Sequence, residues 1–462
     1  MPPSLALLLW FILLLALLRF DPAKEPGTSL ALWVPVIWFF IVGSRLPSQW
    51  LGGQPQLGEA AEALQQGNTL DRSIYSLLIV LAFGILISRS FEWGKLFALN
   101  VALMAFLSFA LLSVLWSDFP FVAFKRWFRD LGTYLVILVA LSDPRPFGAV
   151  RTLLRRLCFL LIPLCIVLIK YYPEMAKDYN PWTGQAYFIG ATTSKNMLGV
   201  LCLVSGLFFF WDTFTRWGDR RDRGTRWIVL VNVALFAMTL WLLNMADSAT
   251  SRVCLALGCM LIAAAHSKTV KRHPALLTVL TPVGICLYLL LELGFGIDII
   301  AALAEAVGRD PTLTGRTDIW TVVLSTNTNP LVGTGYESFW LGPRLRWVQE
   351  QSGGINEAHN GYLEVYLNLG LIGLFLIVGF LIASYRTICR RVRAFSSLGS
   401  LSLALWTVLI FYNVTESALR GHLMWVAFLL GVIAVPGRSE RSPTEGALLE
   451  EPPSKVWEGV TV

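Results

Sequence analysis

The sequence predicts an all-α polytopic membrane protein with about 12–13 transmembrane helices and one large loop on the outer side. Charged residues make up only 15% of the 462 residues, whereas soluble domains carry about 25%. Apolar runs of roughly 20 residues, the length of a membrane span, recur along most of the chain. They lack the strict alternation of membrane β-strands, so helices are expected. An ordinary soluble enzyme and a disordered chain are therefore excluded.

The predicted spans follow the apolar runs in chain order. The first run has no basic residue before it and no small-residue cleavage site, which predicts a retained helix rather than a cleaved signal peptide. Two runs, 29–43 and 253–265, are short and could be half-spans or tilted partners. The runs lie near positions 4–19, 29–43, 73–88, 94–115, 127–141, 153–169, 197–214, 227–245, 253–265, 275–296, 361–384, 398–413 and 421–435.

Lysine and arginine in the short connections orient these spans. One set of alternate connections is much richer in them, and the positive-inside rule places that set in the cytoplasm. The long connection 297–358 and the N-terminus then lie outside, and the polar tail lies in the cytoplasm, where we expect disorder. The predicted divisions are N-terminal helices (1–296), the large loop with short helices (297–358), C-terminal helices (359–435) and the tail (436–462).

Several common sites are missing from the sequence. It has no GxxxxGK[ST] phosphate loop, no complete dinucleotide fingerprint, no Asp-x-Asp pair and no HExxH. Four histidines and no suitable cysteine spacing give little support for a metal site, so no metal or cofactor is expected. The net charge of +7 is explained by the orienting loop charges, and nucleic-acid binding is not expected.

His359 is the strongest single candidate for chemistry. It lies where the helix after the large loop should begin, and an N-cap at Asn356 would place it in the first turn. The positive end of the helix dipole disfavours imidazolium there, and a neutral imidazole suits a general base. The alternative is an interfacial histidine that only satisfies a hydrogen bond.

Further charged residues lie at predicted outer helix starts. Arginine forks bind phosphate oxygens in pairs, and a departing diphosphate needs such stabilisation. Each position also has a simpler explanation, as a solvated or snorkelling side chain or a helix-terminal acid. Taken together, they indicate transfer of a group from a lipid diphosphate to an alcohol. The residues are Arg316, Arg252, Lys195, Arg126 with its neighbours Lys125 and Arg129, and Glu416.

Several sequence segments resemble the O-antigen ligase and O-antigen polymerase superfamily of bacterial membrane glycosyltransferases. GRTDIW (315–320), NPLVGTGY (329–336) and AHNGYLEVYLNLGLIGL (358–374) are similar to its signature region. The segments WSDFP, SKN followed by LG, DSATSR and TESAL are shorter matches, and the exopolysaccharide-polymerase branch is similar as well. The resemblance extends over roughly residues 20–435.

This resemblance implies a multi-span helical protein with a large periplasmic loop before its last spans. It also implies glycan transfer from undecaprenyl diphosphate to a sugar hydroxyl without a metal. The acceptor would be lipid A core in a ligase or a lipid-linked repeat unit in a polymerase. By similarity, His359, Arg316 and Arg252 match the catalytic residues of the family. Its ligases have 12 spans with both ends in the cytoplasm, which differs from the apolar runs counted here, of which there are about 13.

We therefore predict an inverting glycosyltransferase of the bacterial inner membrane whose active site faces the periplasm. Lys195, Arg126, Glu416 and Tyr336 are predicted to contact substrate, although Tyr336 could equally belong to an interfacial aromatic belt. The expected partners are an undecaprenyl diphosphate-linked glycan, a sugar acceptor, membrane lipids and a chain-length regulator protein.

Two other functions stay open at this level. A transporter or flippase of lipid-linked or anionic sugars would also use basic residues on the outer side. The spans look nearly free of charge at mid-length, however, which favours chemistry at one face over transport. A non-catalytic scaffold of a polysaccharide assembly complex is the third possibility, and it predicts that His359 is replaceable.

Overall fold

The computed structural model describes residues 1–21, 27–52, 67–89, 91–179, 184, 186–291, 295, 316–394 and 398–436. These residues form a bundle of helices and one short antiparallel hairpin, β1 (Lys177–Tyr179) with β2 (Ala186–Phe188). The helices, numbered in chain order, are α1 (Pro3–Arg19), α2 (Trp33–Gly43), α3 (Pro47–Trp50), α4 (Thr69–Ser88), α5 (Trp93–Leu99), α6 (Val101–Leu112), α7 (Pro120–Leu141), α8 (Pro146–Tyr171), α9 (Pro173–Ala176), α10 (Lys195–Arg216), α11 (Arg223–Ala246), α12 (Ala249–Ala265), α13 (Lys268–Arg272), α14 (Ala275–Leu289), α15 (Arg316–Leu324), α16 (Gly342–Ser352), α17 (Gly361–Arg393), α18 (Gly399–Thr415) and α19 (Leu423–Val432).

The predicted fold class is confirmed: the chain is an all-α polytopic membrane protein. Within the described residues, five helices (α4, α8, α10, α11 and α17) are long and apolar enough to cross a membrane. The bent pair α5–α6 makes up to six, and the remaining apolar runs correspond to shorter helices. The span count of 12–13 stays a prediction, as do the orientation and the proposed divisions. Residues 297–315 and 437–462 lie outside the described part of the chain.

The run 94–115, predicted as one span, is not a straight helix. Its two helices are bent by 98° at a break, and Asn100 lies at the break. The Asn100 amide donates to the carbonyls of Leu96 and Ala434, at 2.9 and 2.8 Å, and accepts from the Ala434 N–H. Backbone groups in an apolar setting need such partners, so the asparagine makes the bend possible and ties it to the segment after α19.

Charge inside the helices also departs from the sequence expectation. Asp130 lies midway along α7 and is buried. It contacts the Arg129 guanidinium at 3.2 Å and accepts a 2.7 Å hydrogen bond from the Tyr336 hydroxyl. The predicted span began at residue 127 and placed Asp130 at its start. The helix begins about two turns earlier, at Pro120, so Asp130 lies at mid-helix and not at the helix start.

A second buried acid organises the far end of α10. Asp212 is fully buried and pairs with the arginines Arg151, Arg155 and Arg216. Asn232 of α11 donates a further hydrogen bond of 2.8 Å. A buried carboxylate is costly unless it is paired and hydrogen-bonded. The ion pairs at this end therefore join α8 to α10, and Asn232 adds α11, in addition to any effect of the basic residues on orientation.

At the opposite end of the bundle, which we call the site end, the segment 329–335 enters a break in α17. Gly370 has φ +63°, so the helix stops bonding to itself there. Its freed groups bind the segment instead: Leu371 N–H donates to Pro330 O, and Asn368 O accepts from Gly335 N–H, both at 2.9 Å. Gly333 and Gly335 of the segment and Gly370 of α17 thus allow the two backbones to approach each other closely.

We expect Gly370→Ala to destabilise the protein strongly. A Cβ at this position would lie 2.2 Å from the Leu331 carbonyl carbon, and the positive φ alone costs an alanine about 1–3 kcal/mol. The matched control is Gly379→Ala in the same helix, where a Cβ meets nothing within 4 Å. Thermal unfolding of the detergent-solubilised variants measures the difference, and equal melting temperatures would contradict this account of the break.

Candidate active site

A cavity of about 380 Å³ opens at the site end between the start of α10, the segment before α17 and the residues that follow α18. It brings together His359, Glu416 and Lys195, which the sequence places up to 221 positions apart in the chain. Its lining is Tyr187, Ser194, Lys195, Asn196, Met197, Asn356, Glu357, His359, Tyr412, Glu416, Ser417 and His422.

The position of His359 differs from the sequence prediction. The N-cap of α17 is Asn360, whose side chain accepts from Tyr362 N and Leu363 N. His359 therefore precedes the helix and adopts a left-handed backbone with φ +48°. The preceding N–H, that of Ala358, donates to the Glu364 carboxylate at 2.7 Å. This contact stabilises the turn before α17. Because the N-cap is Asn360, the predicted N-cap at Asn356 is wrong.

The charge state expected for His359 is also wrong. Its Nδ1 lies 3.0 Å from Glu357 Oε1 and 3.5 Å from Glu416 Oε2. Burial by itself lowers the pKa of the imidazole, but the two carboxylates outweigh burial and raise the pKa of His359 to about 10. The helix dipole has little effect because the residue lies outside the helix. The free site therefore holds an imidazolium at neutral pH.

Glu416 connects the site to the loop helix α15. It is buried, and its Oε1 accepts a 2.7 Å charge-assisted bond from Arg316 Nη2. Its Oε2 accepts a 3.0 Å bond from the Asn196 side chain. Arg316 also donates to the carbonyl of Thr415. The structure therefore places Arg316 directly behind the Glu416–His359 pair.

Lys195 borders the same cavity from the first turn of α10. The N-cap Ser194 accepts from Met197 N–H at 3.2 Å, which fixes where the helix begins. The Lys195 ammonium lies 5.7 Å from the centre of the Tyr187 ring on β2. The cavity thus combines a lysine and an imidazolium with two carboxylates.

Three of the predicted residues lie elsewhere at the site end. Arg252, on the first turn of α12, pairs with Asp247 at 3.1 Å and is not among the residues that line this cavity in the described part of the chain. Arg126 donates to the backbone carbonyl of Glu337. The Tyr336 hydroxyl is bound to Asp130, as described above. The predicted roles of these residues are not tested by their positions.

The sequence analysis missed a supporting layer of charged residues. Glu364 accepts from Ala358 N–H and from the Trp340 indole, and lies 3.7 Å from Arg420. Arg420 also pairs with Glu337. The one available signal for Glu364 was an acid within an otherwise apolar run. This layer holds the turn that presents His359.

His422 is a further residue that the sequence analysis missed. It lines the cavity, and its buried Nδ1 has no hydrogen-bond partner among the described residues. Burial lowers the pKa of His422, in spite of the charges of Glu357 and Glu416. The two imidazoles of one cavity are therefore shifted in opposite directions.

Glu357, His359 and Glu416 could also act as metal ligands by distance. One potential ligand atom from each lies within 4.8 Å of the others. Glu416, however, is already compensated by the Arg316 guanidinium at 2.7 Å, and a cation would have to share the site with that charge. The arrangement therefore favours an ion-paired imidazolium over a metal.

Part of the chain is similar to a known protein family. Residues 234–378 match the model of the O-antigen ligase family, and this segment includes Arg252, Arg316 and His359. The match covers about a third of the chain, which is similar there to an O-antigen ligase/polymerase-like family. It is 28% identical over 295 residues to the exopolysaccharide production protein ExoQ of Rhizobium meliloti (strain 1021). That alignment covers 61% of this chain and 64% of ExoQ, which is less than two thirds of the relative.

Removing one carboxylate should lower the pKa of His359. We expect Glu357→Gln to shift it downward from about 10, because one of the two charges that stabilise imidazolium is lost. Diethylpyrocarbonate reacts with neutral imidazole, so the pH dependence of His359 modification, followed by peptide mass spectrometry, reports the shift. Glu350→Gln, at an exposed position of α16, is the control. An unchanged titration of His359 in Glu357→Gln would show that the contact does not set its charge.

Proposed function

We propose that this protein transfers a glycan from undecaprenyl diphosphate to a sugar hydroxyl, at the periplasmic face of the bacterial inner membrane. The match of residues 234–378 to the O-antigen ligase family model and the likeness to ExoQ support ligase- or polymerase-type activity in O-antigen or exopolysaccharide assembly. The observation that carries the proposal is the cavity in which His359, paired with two carboxylates, lies beside Lys195 and the Arg316–Glu416 pair. Acceptor identity, and with it ligase or polymerase, remains part of the proposal.

In this mechanism His359 removes the proton of the acceptor hydroxyl. Its Nδ1 contacts Glu357 and Glu416, which leaves Nε2 to take the proton. The hydroxyl oxygen forms the new bond to the anomeric carbon while the bond from that carbon to the diphosphate oxygen breaks. A single displacement inverts the anomeric centre. The two carboxylates stabilise the imidazolium that forms, as the acid does in hydrolytic triads.

The departing diphosphate requires positive charge. Lys195 lies in the cavity, and Arg316 offers a planar fork suited to paired phosphate oxygens. Donor binding would let Arg316 share its contacts between Glu416 and the phosphates. Arg252 and Arg126 are not among the described residues that line this cavity, and we propose that they attract or position the anionic donor rather than contact the breaking bond.

Proton removal by His359 predicts a rate that rises with pH. A base must be neutral to act, and the pKa of about 10 leaves only a small neutral fraction at pH 7. We expect kcat/KM to rise about tenfold per pH unit below the pKa and to level off above it. Transfer between purified lipid-linked glycan and acceptor, assayed from pH 6.5 to 10, measures this. A flat profile in this range would instead assign proton removal to His422, whose pKa is lowered.

Replacement of His359 tests the reaction in cells. We expect His359→Ala, expressed in a deletion strain at the wild-type level in the membrane, to lose surface polysaccharide, because general bases contribute about 10²–10⁴-fold. His273→Ala is the matched control, because His273 is exposed and is not among the described residues that line the cavity.

Mass spectrometry of the undecaprenyl-linked intermediates completes this experiment. Single repeat units should accumulate if a polymerase is lost, and long lipid-linked chains if a ligase is lost. A His359→Ala strain with normal polymer would refute the catalytic assignment and favour the scaffold. Lipid-linked glycan retained on the cytoplasmic side would favour a flippase.

Chelation tests the proposed independence of metal. We expect EDTA to leave the transfer rate of the purified protein unchanged, because Arg316 and His359 already supply the positive charge at Glu416. The check is the initial rate with and without EDTA, and then with Mg²⁺, Mn²⁺ or Ca²⁺ added back. Loss of activity that a divalent ion restores would assign Glu357, His359 and Glu416 as its ligands.

A further inference from the structure

A second cavity, of about 490 Å³, adjoins the first at the site end. Helices α2, α3, α4 and α7 form its walls, and its volume lies within the usual range for a small-molecule site, about 300–1,000 Å³. The chemically distinctive side chains of its lining are Trp38, Gln49, Tyr75, Arg129, Asp130 and Thr133.

Three loops separate the two cavities by a single wall. In one loop Thr193 borders the second cavity and the next residue, Ser194, the first. In another, Gly421 borders the second and His422 the first. Asn356 borders both. A ligand in the second cavity therefore lies one loop away from His359.

The charges of the two cavities differ. The first contains the Glu357 and Glu416 carboxylates together with the Lys195 ammonium, the His359 imidazolium and, immediately behind Glu416, the Arg316 guanidinium, so its cations outnumber its acids by one. In the second, the Arg129 guanidinium and the Asp130 carboxylate are 3.2 Å apart and neutralise each other. An anionic diphosphate therefore fits the first cavity, and an uncharged polar ligand fits the second.

The second cavity has side chains that suit a carbohydrate. The Tyr75 ring meets the Trp38 ring edge-on, with centroids 4.7 Å apart, and the Trp38 indole donates to Thr133 Oγ1 at 3.2 Å. The aromatic wall is therefore held in place. Gln49 contributes an amide whose oxygen accepts from Leu46 N–H, which leaves its NH₂ group as a donor. Sugars combine apolar C–H faces with many hydroxyls, and such a wall with neighbouring polar groups matches both.

We propose that the second cavity is a carbohydrate subsite that holds the acceptor glycan and delivers its hydroxyl past Asn356 to His359. The identification of the bound sugar as the acceptor rests on the proposed function. Carbohydrate binding in the second cavity does not depend on catalysis. Donor and acceptor would then enter from two sides of the same wall, with the diphosphate next to the cations and the acceptor sugar next to the aromatic pair.

Thiol protection tests binding without catalysis. Thr193→Cys places a reporter in the second cavity and Met197→Cys places one in the first. The probe is the phosphate-free oligosaccharide released by acid from the strain's own polysaccharide, and maleimide labelling is read at each position by peptide mass spectrometry. We expect the oligosaccharide to slow labelling at position 193 about tenfold, equivalent to about 1.4 kcal/mol, and to leave position 197 unchanged. Undecaprenyl phosphate should do the reverse.

Variants of Tyr75 test whether the aromatic wall contributes to oligosaccharide binding. Tyr75→Ala should abolish protection at position 193, Tyr75→Phe should retain it, and His359→Ala should retain it as well. In the transfer assay Tyr75→Ala should raise the KM for acceptor and leave the KM for donor unchanged. A raised donor KM would assign the cavity to the donor glycan and overturn the acceptor assignment.

The outcomes separate the two proposals. Protection at position 193 by a wild-type protein that transfers no glycan would leave the carbohydrate site standing and overturn the proposed function. Transfer without protection at position 193, or protection at position 197 alone, would overturn the subsite and leave the transferase standing.

Discussion

The Glu416 carboxylate ties together parts of the chain that lie far apart in sequence. It is buried, and an unpaired buried carboxylate would cost several kcal/mol. Its partners are Asn196 at the start of α10, Arg316 on the loop helix α15 and His359 before α17. Satisfying this one charge therefore assembles the cavity wall from four segments.

The same structure contains two buried acids that are used in different ways. Asp212 is enclosed by arginines and an asparagine at the far end of α10, and it does not line any of the cavities described above. Glu416 is also buried, but it lines an open cavity beside His359. Ion pairing stabilises both carboxylates, yet only Glu416 can transmit its charge to a bound molecule. Access from a cavity, more than the presence of an ion pair, distinguishes a candidate site from a structural contact.

The helix α17 connects the fold to the site. Near its start, Glu364 fixes the turn that holds His359 through the N–H of Ala358. Two turns later, the break at Gly370 receives the segment 329–335. Glu337, the second residue after this segment, pairs with Arg420. Displacing the segment from the break should therefore alter the position of His359 as well as the stability of the helix.

The sequence by itself determined the fold class and most helix positions, because a span must be apolar over its whole length and this requirement is readable locally. It also pointed to His359, Arg316, Lys195 and Glu416, which the structure brings together. Only the tertiary structure decided which outer charges share a cavity: Arg252 and Arg126 occupy similar helix starts, but their neighbours Asp247 and Glu337 hold them elsewhere. The bend at Asn100, the left-handed turn at His359 and the charge of its ring likewise depend on partners such as Ala434, Glu364 and Glu357. Local sequence cannot specify these partners, since they are brought close only when the helices pack.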